Sequence, residues 1–156
     1  MAIQIGIDDK LALLLHKTLL RMLPIIRGHH NRKTNGGYFT VCSVGDNTFP
    51  HLIIGCGDVA DMEKAKATFE FSGEKAQRLA EHPDHLSSAQ SRNFDKKKFA
   101  GAIRISQQNL ILSFSGLPET CDEALMLHVA VACHLLHRDQ ALHIASLWDN
   151  DIYAKL

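Results

Sequence analysis

Net charge is the first thing this sequence lacks. Seventeen Lys and Arg residues are cancelled by seventeen Asp and Glu, so no overall field draws the chain to nucleic acid or to an anionic membrane. Long apolar runs are missing as well. His16, Lys17 and Arg21 interrupt the only Leu-rich candidate, which excludes a membrane-spanning helix there. The opening MAIQIGIDDK sets two acids before that segment and has no small-residue cleavage site, so no secretory signal is expected. Of C-x-x-C spacing there is none. Cys42, Cys56, Cys121 and Cys133 are scattered, and reduced, partly buried thiols in a cytoplasmic protein are the expectation. Internal repeats and low-complexity linkers are also absent.

What is present suits a single domain over residues 1–156. A chain of this length buries about two thirds of its unfolded surface. Asp8 and Asp9 open an amphipathic helix with the stripe Leu11, Leu14, Leu15, Thr18, Leu19 and Met22, widened by Leu13, Leu20 and Leu23. So wide a stripe predicts cover on two sides, by the sheet and by another subunit. Pro24 predicts an end or a kink at Leu23, with Gly28 as a later stop. The polar stretch His29–Gly37 reads as an exposed loop. Tyr38–Val44 is a strand, Gly45-Asp46-Asn47 a turn, and His51–Gly55 the antiparallel partner that starts after Pro50.

A helical region then runs from Asp61 to Glu81, with Met62, Ala65, Phe69, Ala76, Leu79 and Ala80 apolar. Gly73 is a break point at which Ser72 would cap a second helix, and His82-Pro83 ends the run. A polar loop, Asp84–Lys98, leads to a second hairpin, Phe99–Ser106 and Leu110–Ser115, around Gln107-Gln108-Asn109. GLPETCDEALMLHVA opens the next helix on acids. Either Pro118 takes its first position, or Thr120 caps it with Glu123 reaching back. Ala124, Leu127, Val131 and Leu135 supply its buried face. A short helix from Asp139 packs Leu142 and Trp148. The order α-ββ-α(α)-ββ-α predicts an α+β fold, an antiparallel sheet with helices packed against it.

Few groups carry chemistry openly. Gly55-Cys56-Gly57-Asp58-Val59-Ala60 matches a G-x-G-x-x-A dinucleotide turn, the basis of a nucleotide-dependent enzyme reading. The expected next strand with its acid is replaced by helix, and Asp58 would set a carboxylate beside the phosphates. A glycine turn with Asp58 as helix cap is the plainer reading. Among ten histidines, His134 and His137 can share a helical face, and Cys133 pairs with His137. His128 lies on the same helix and His82 with His85 elsewhere. No second cluster completes a metal site, so none is assigned. Ser113-Phe114-Ser115-Gly116 lacks the glycine that a nucleophile elbow needs. The loop SSAQSR is the more promising cluster: three hydroxyls and a guanidinium suit carboxylate or phosphate oxygens. With the acids that open the last helix, it yields the expected ligand-binding set Ser87, Ser88, Ser91, Arg92, Glu119, Asp122 and Glu123.

Glu63-Lys64-Ala65, Glu74-Lys75-Ala76, Ser87-Ser88, Ser91-Arg92, GAIRI, SFSGLPE and DEAL together resemble the GlcG/HbpS-like family, also called haem-degrading-like or PduO C-terminal-like domains. The turn SVGDNTFPHL and the lack of an E-x-x-E run set the chain apart within that family. The resemblance implies a profilin-like α/β sandwich that self-associates and binds haem, a corrinoid or another small metabolite. The expectation is a cytoplasmic small-ligand-binding or sensory domain without an evident catalytic set. A non-catalytic assembly protein using the Leu-rich first helix is the other alternative.

Overall fold

A computed structural model describes residues 7–30, 36–45, 49–58 and 61–156. Most of the His29–Gly37 loop, Asp46 and Asn47 of the first turn, and Val59 and Ala60 of the glycine turn lie outside these. Among the described residues, helices α1 (Asp9–Arg27), α2 (Met62–Ala80), α3 (Glu119–Ala132) and α4 (Arg138–Ser146) enclose one sheet. Its strands are β1 (Gly37–Ser43), β2 (Phe49–Cys56), β3 (Ala102–Ile105) and β4 (Leu110–Ser115), all antiparallel in the order β2-β1-β4-β3. The two hairpins thus join through β1 and β4 into one platform, in the α+β class and element order expected.

The sheet's faces differ in chemistry because strand side chains alternate. Phe39, Val41, Ile103, Ile105, Leu110, Leu112 and Phe114 meet α1, α3 and α4 in the main apolar core. α3 is buried nearly all round, because the sheet covers one side and α1 and α4 cover others. The opposite face carries Thr40, Ser113, Ser115 and Arg104, and α2 covers it with Thr68, Ser72, Lys75 and Arg78. The small apolar cluster Cys42, Ala76, Leu79, Ala102 and Ile111 is all that this layer has of a dry core.

Several expectations change. α1 does not stop at Pro24 but continues to Arg27 and ends at Gly28. Pro24 faces solvent while Leu23 and Ile26 are buried, so packing on either side holds the turn despite the missing N–H. Leu13, Leu14 and Leu20, on the side for which cover by another subunit is expected, are exposed in the single chain. α2 is one helix through Gly73, and Ser72 is no cap: its hydroxyl bonds Thr40 Oγ1 at 2.8 Å inside the core. Asp61, not Asp58, caps α2, accepting from the Lys64 N–H at 2.8 Å. Neither Thr120 nor a capping box starts α3. Pro118 is the residue before its first turn, and Glu123 points into the protein. The loop after His85 contains two short 3-10 turns, Ser88–Ser91 and Phe94–Lys96. Pro50 fits because β2 is an edge strand, next to a register shift at Val41/Cys42.

One consequence is testable by mutation. Pro24→Ala restores an N–H in the last turn of α1 at an exposed position, and is expected to raise stability by about 1 kcal/mol. Urea unfolding checks this; an unchanged or lowered midpoint would mean that Pro24 is not strained where it sits.

Candidate functional site

At the end of the sheet where β4 runs into α3, the polar layer under α2 opens to the surface. Two glycines make the crossing. Gly116 (φ +147°) lies so close to Gly36 and Gly37 that a Cβ would sit 2.2 Å from the Gly36 carbonyl oxygen. Gly101 (φ +134°) leaves room for Lys75: a Cβ there would be 2.7 Å from its Nζ. The Lys75 ammonium, on α2, donates to the Phe114 carbonyl at 3.0 Å and to Asp122 Oδ2, on α3, at 2.8 Å. Both side chains are only 2% exposed. Asp122 Oδ1 accepts the Leu117 N–H at 2.9 Å, which fixes the turn into α3. Burial pushes the Asp122 pKa up to about 6, against the pull of Lys75 and the Leu117 N–H.

Arg92 forks onto Glu119, with Nε–Oε1 at 2.8 Å and Nη2–Oε2 at 2.6 Å. Its guanidinium also lies 5.5 Å from the centre of the Trp148 ring. Burial works to raise the Glu119 pKa, but the Arg92 guanidinium and the Ala100 N–H more than offset it and hold it below the usual value. These pairs line a pocket of about 470 Å³ whose walls also include Lys64, Thr68, Phe71, Phe99, Ser115 and Trp148. Phe71 and Phe94 each meet Phe99 edge to face, with centroids 5.4 and 5.8 Å apart. Its volume is in the range of small-molecule sites.

The expected binding set is brought into one neighbourhood but divides in two. Arg92, Glu119 and Asp122 line the pocket. Ser87, Ser88, Ser91 and Glu123 face inward and hold the loop. Ser87 donates to Glu123, which also accepts from Trp148 Nε1 at 2.8 Å and Asn150 Nδ2 at 3.0 Å. Burial raises the Glu123 pKa despite those three donors. Ser88 Oγ accepts the Ala102 N–H at 3.0 Å, and Ser91 Oγ accepts from Arg78 at 2.6 Å.

Sequence reasoning missed Lys64, Lys75, Thr68, Ser115, Phe71, Phe99 and Trp148. Thr68, Ser72, Lys75 and Leu79 do share a helical face, and that spacing was the available signal. The histidines are dispersed: His128 bonds the Tyr153 carbonyl at 3.2 Å, while His82 and His85 stack on each other. Among the described residues, no three His, Cys, Asp or Glu side chains are grouped to hold a metal ion. The pocket walls contain, among the described residues, no His, Cys, Met or Tyr, the usual axial ligands of haem iron. The glycine turn at Gly55–Gly57 follows an antiparallel edge strand, and the start of α2 is already capped by the Asp61 carboxylate. A second hollow of about 400 Å³, between Ile105–Gln107 and α4, is walled mainly by Leu86, Leu135, Leu136 and Ile144.

The raised Asp122 pKa has a defined sign. Against the ordinary 3.8, a folded value of about 6 means that the folded chain holds this proton more tightly. The resulting stabilisation is complete below about pH 4 and is lost as the pH rises through 6. Asp122→Asn abolishes it, so the stability gap between wild type and variant should shrink, or swing toward the variant, by about 2 kcal/mol between pH 4 and 7. Urea melts across that range test this, and a gap independent of pH would contradict it.

No protein-family model, curated protein or solved structure matches this chain, so the chemistry of the pocket itself carries the functional reading.

Proposed function

We propose that this chain is a small-ligand-binding or sensory domain that takes a small organic acid in the pocket between α2, the Ser87–Phe99 loop and the start of α3. The carrying observation is the convergence there of Lys64, Lys75 and Arg92 with four aromatic walls, Phe71, Phe94, Phe99 and Trp148. Three cations stand against two carboxylates, Glu119 and Asp122, which leaves the walls with one formal positive charge. Binding fits better than catalysis, because neither Ser115 nor Thr120 has a basic side chain as hydrogen-bond partner among the described residues. Haem, one of the ligands implied by the GlcG/HbpS-like resemblance together with a corrinoid, would sit here without one of its usual His, Cys, Met or Tyr ligands among the described residues. That resemblance is itself part of the proposal.

The cellular setting belongs to it too. Four buried cysteines, with no disulfide among the described residues, suit a reducing, cytoplasmic compartment, and burial pushes the Cys42 and Cys56 thiols up to about 11. No helix of the described residues is long and apolar enough to cross a membrane.

Trp148 is the only tryptophan and lines the pocket, so its fluorescence reports occupancy directly. Titration with haem, cobalamin, FMN, benzoate and succinate should find an acid that changes Trp148 emission. At a hundredfold excess over Kd the same acid should raise the melting temperature by about 5 °C or more. No change in emission or melting with any of them would sink the pocket reading.

A second reading concerns assembly, and the outer face of α1 favours it. Leu13, Leu14, Leu20 and Ile25 are 55, 42, 48 and 50% exposed on one helix. Two copies packed antiparallel about Lys17 would set Leu14 of each against Leu20 of the other. The same arrangement lays the acidic start, Asp8 and Asp9, beside the basic end at Arg27, and opposes the helix dipoles favourably. Lys17 meets its own copy at the axis, where its long stem lets the ammonium reach water. Light scattering should show a dimer or larger species that the double variant Leu14→Glu, Leu20→Glu converts to monomer; a monomeric wild type rules this out.

A further inference from the structure

The floor of the pocket carries polar groups that the protein leaves unused. Deeper under α2, Ser113 Oγ donates to the Ser72 carbonyl at 2.7 Å and Ser72 Oγ meets Thr40 Oγ1. Thr68 lies one turn before Ser72, and Ser115 lies two residues beyond Ser113. The same two surfaces therefore continue to face each other toward the pocket. There the hydrogen bonding stops. Thr68 and Ser115 are each only 7% exposed, yet neither hydroxyl has a partner among the described residues, and both line the cavity. The Lys75 ammonium beside them has three donors and two acceptors, Phe114 O and Asp122. Neither oxygen is sealed from solvent without a partner: both open to the cavity, and a ligand edge that displaces water from them must replace its hydrogen bonds or lose affinity.

The mouth is different. Lys64 is exposed and has no ion-pair partner among the described residues, whereas Arg92 is engaged by Glu119. Between mouth and floor stand the Phe71, Phe99 and Trp148 rings. An unmatched charge outside, flat apolar walls between, and hydroxyls beside the matched Lys75–Asp122 pair at the bottom define a ligand with three matching parts.

We propose that the pocket takes a one- or two-ring aromatic carboxylate. Its carboxylate lies beside Lys64, its ring stands among Phe71, Phe99 and Trp148, and a hydrogen-bonding group on its far edge meets Thr68, Ser115 and Lys75. This rests on the pocket reading above and narrows it from organic acids in general to this class.

Three probes separate the parts: 4-hydroxybenzoate has all of them, benzoate lacks the far-edge group, and trans-4-hydroxycyclohexanecarboxylate lacks the aromatic ring. Isothermal titration calorimetry of the full chain should show 4-hydroxybenzoate binding about tenfold tighter than either of the others. In Thr68→Val with Ser115→Ala the preference over benzoate should fall to about twofold or less. Lys64→Glu should weaken both aromatic acids alike, by about threefold. Thr68→Val keeps the side-chain shape, and carries the test alone if the double variant does not fold by circular dichroism. Equal binding of 4-hydroxybenzoate and benzoate, a preference that survives loss of the hydroxyls, or an equally tight saturated analogue would each overturn the assignment. If succinate or another non-aromatic acid binds while none of the three probes does, this inference falls and the pocket reading stands. If no acid binds at all, both fall.

Discussion

Two helices on opposite faces of a sheet have no direct route to each other except around its end, and here that route is the buried ion pair of Lys75 with Asp122. Taking two charges from water is costly, and removing one partner of such a pair typically costs about 3–5 kcal/mol because the other is left uncompensated. The pair is tolerated because most of its remaining capacity is used: the Phe114 carbonyl takes a second ammonium proton and the Leu117 N–H meets the second carboxylate oxygen. Those two contacts fall on the residues that bracket the β4–α3 turn. The ion pair therefore sets where the sheet ends, where α3 begins and how close α2 lies. Gly101 is the covalent counterpart of this constraint, because any side chain there would strike the lysine.

The loop between α2 and β3 gains its shape from two further buried cations. Arg78 reaches the carbonyls of Ser88 and Phe99 and the hydroxyl of Ser91. Arg104, on the edge strand, binds the carbonyls of Leu79, His82 and His85, and so caps the end of α2 from outside the helix. Burial lowers the Arg104 pKa and the Asp84 carboxylate works the other way, while three carbonyl oxygens accept from the guanidinium. With Ser87 tied to Glu123, the irregular segment that carries Arg92 and Phe99 is fastened at both ends to regular structure. A loop held in this way can present a preformed pocket wall, as a ligand site on a rigid scaffold requires.

Hydrophobic pattern made the main core legible and hid the polar layer. The hairpins, the acid-opened α3 and the α1 stripe through Leu15 and Leu19 all follow from apolar spacing, which reports faces buried against apolar partners. The same rule misread α2. Of the apolar residues it picked out, Met62 and Phe69 are 86 and 45% exposed, while Thr68, Ser72 and Lys75, which it did not mark as a buried face, are buried. A helix face buried against serine and threonine of a sheet looks, residue by residue, like one that faces water. The site divides on the same ground. Arg92, Glu119 and Asp122 were visible because a polar loop and a helix start are local features. Trp148, Phe71 and Phe99 meet only through tertiary packing across most of the chain. The inward turn of Ser87, Ser88, Ser91 and Glu123 was equally invisible, since only the fold decides whether a hydroxyl serves a ligand or its own scaffold.

That division bears on what the pocket can select. Its strongest charges are already matched, Arg92 by a two-pronged contact with Glu119 and Lys75 by Asp122. A ligand carboxylate competing for either cation would strand a carboxylate that the Ala100 or Leu117 N–H alone holds in place. Displacement therefore carries a penalty comparable to the attraction it gains. Raw charge is a weak criterion in such a cavity. Discrimination passes to ring shape between aromatic walls and to whether the ligand's inner edge satisfies the cavity-facing hydroxyls of Thr68 and Ser115. An edge-bare molecule of equal charge takes water from those hydroxyls without replacing its hydrogen bonds, and a saturated one loses the fit between the rings; neither is rejected by repulsion.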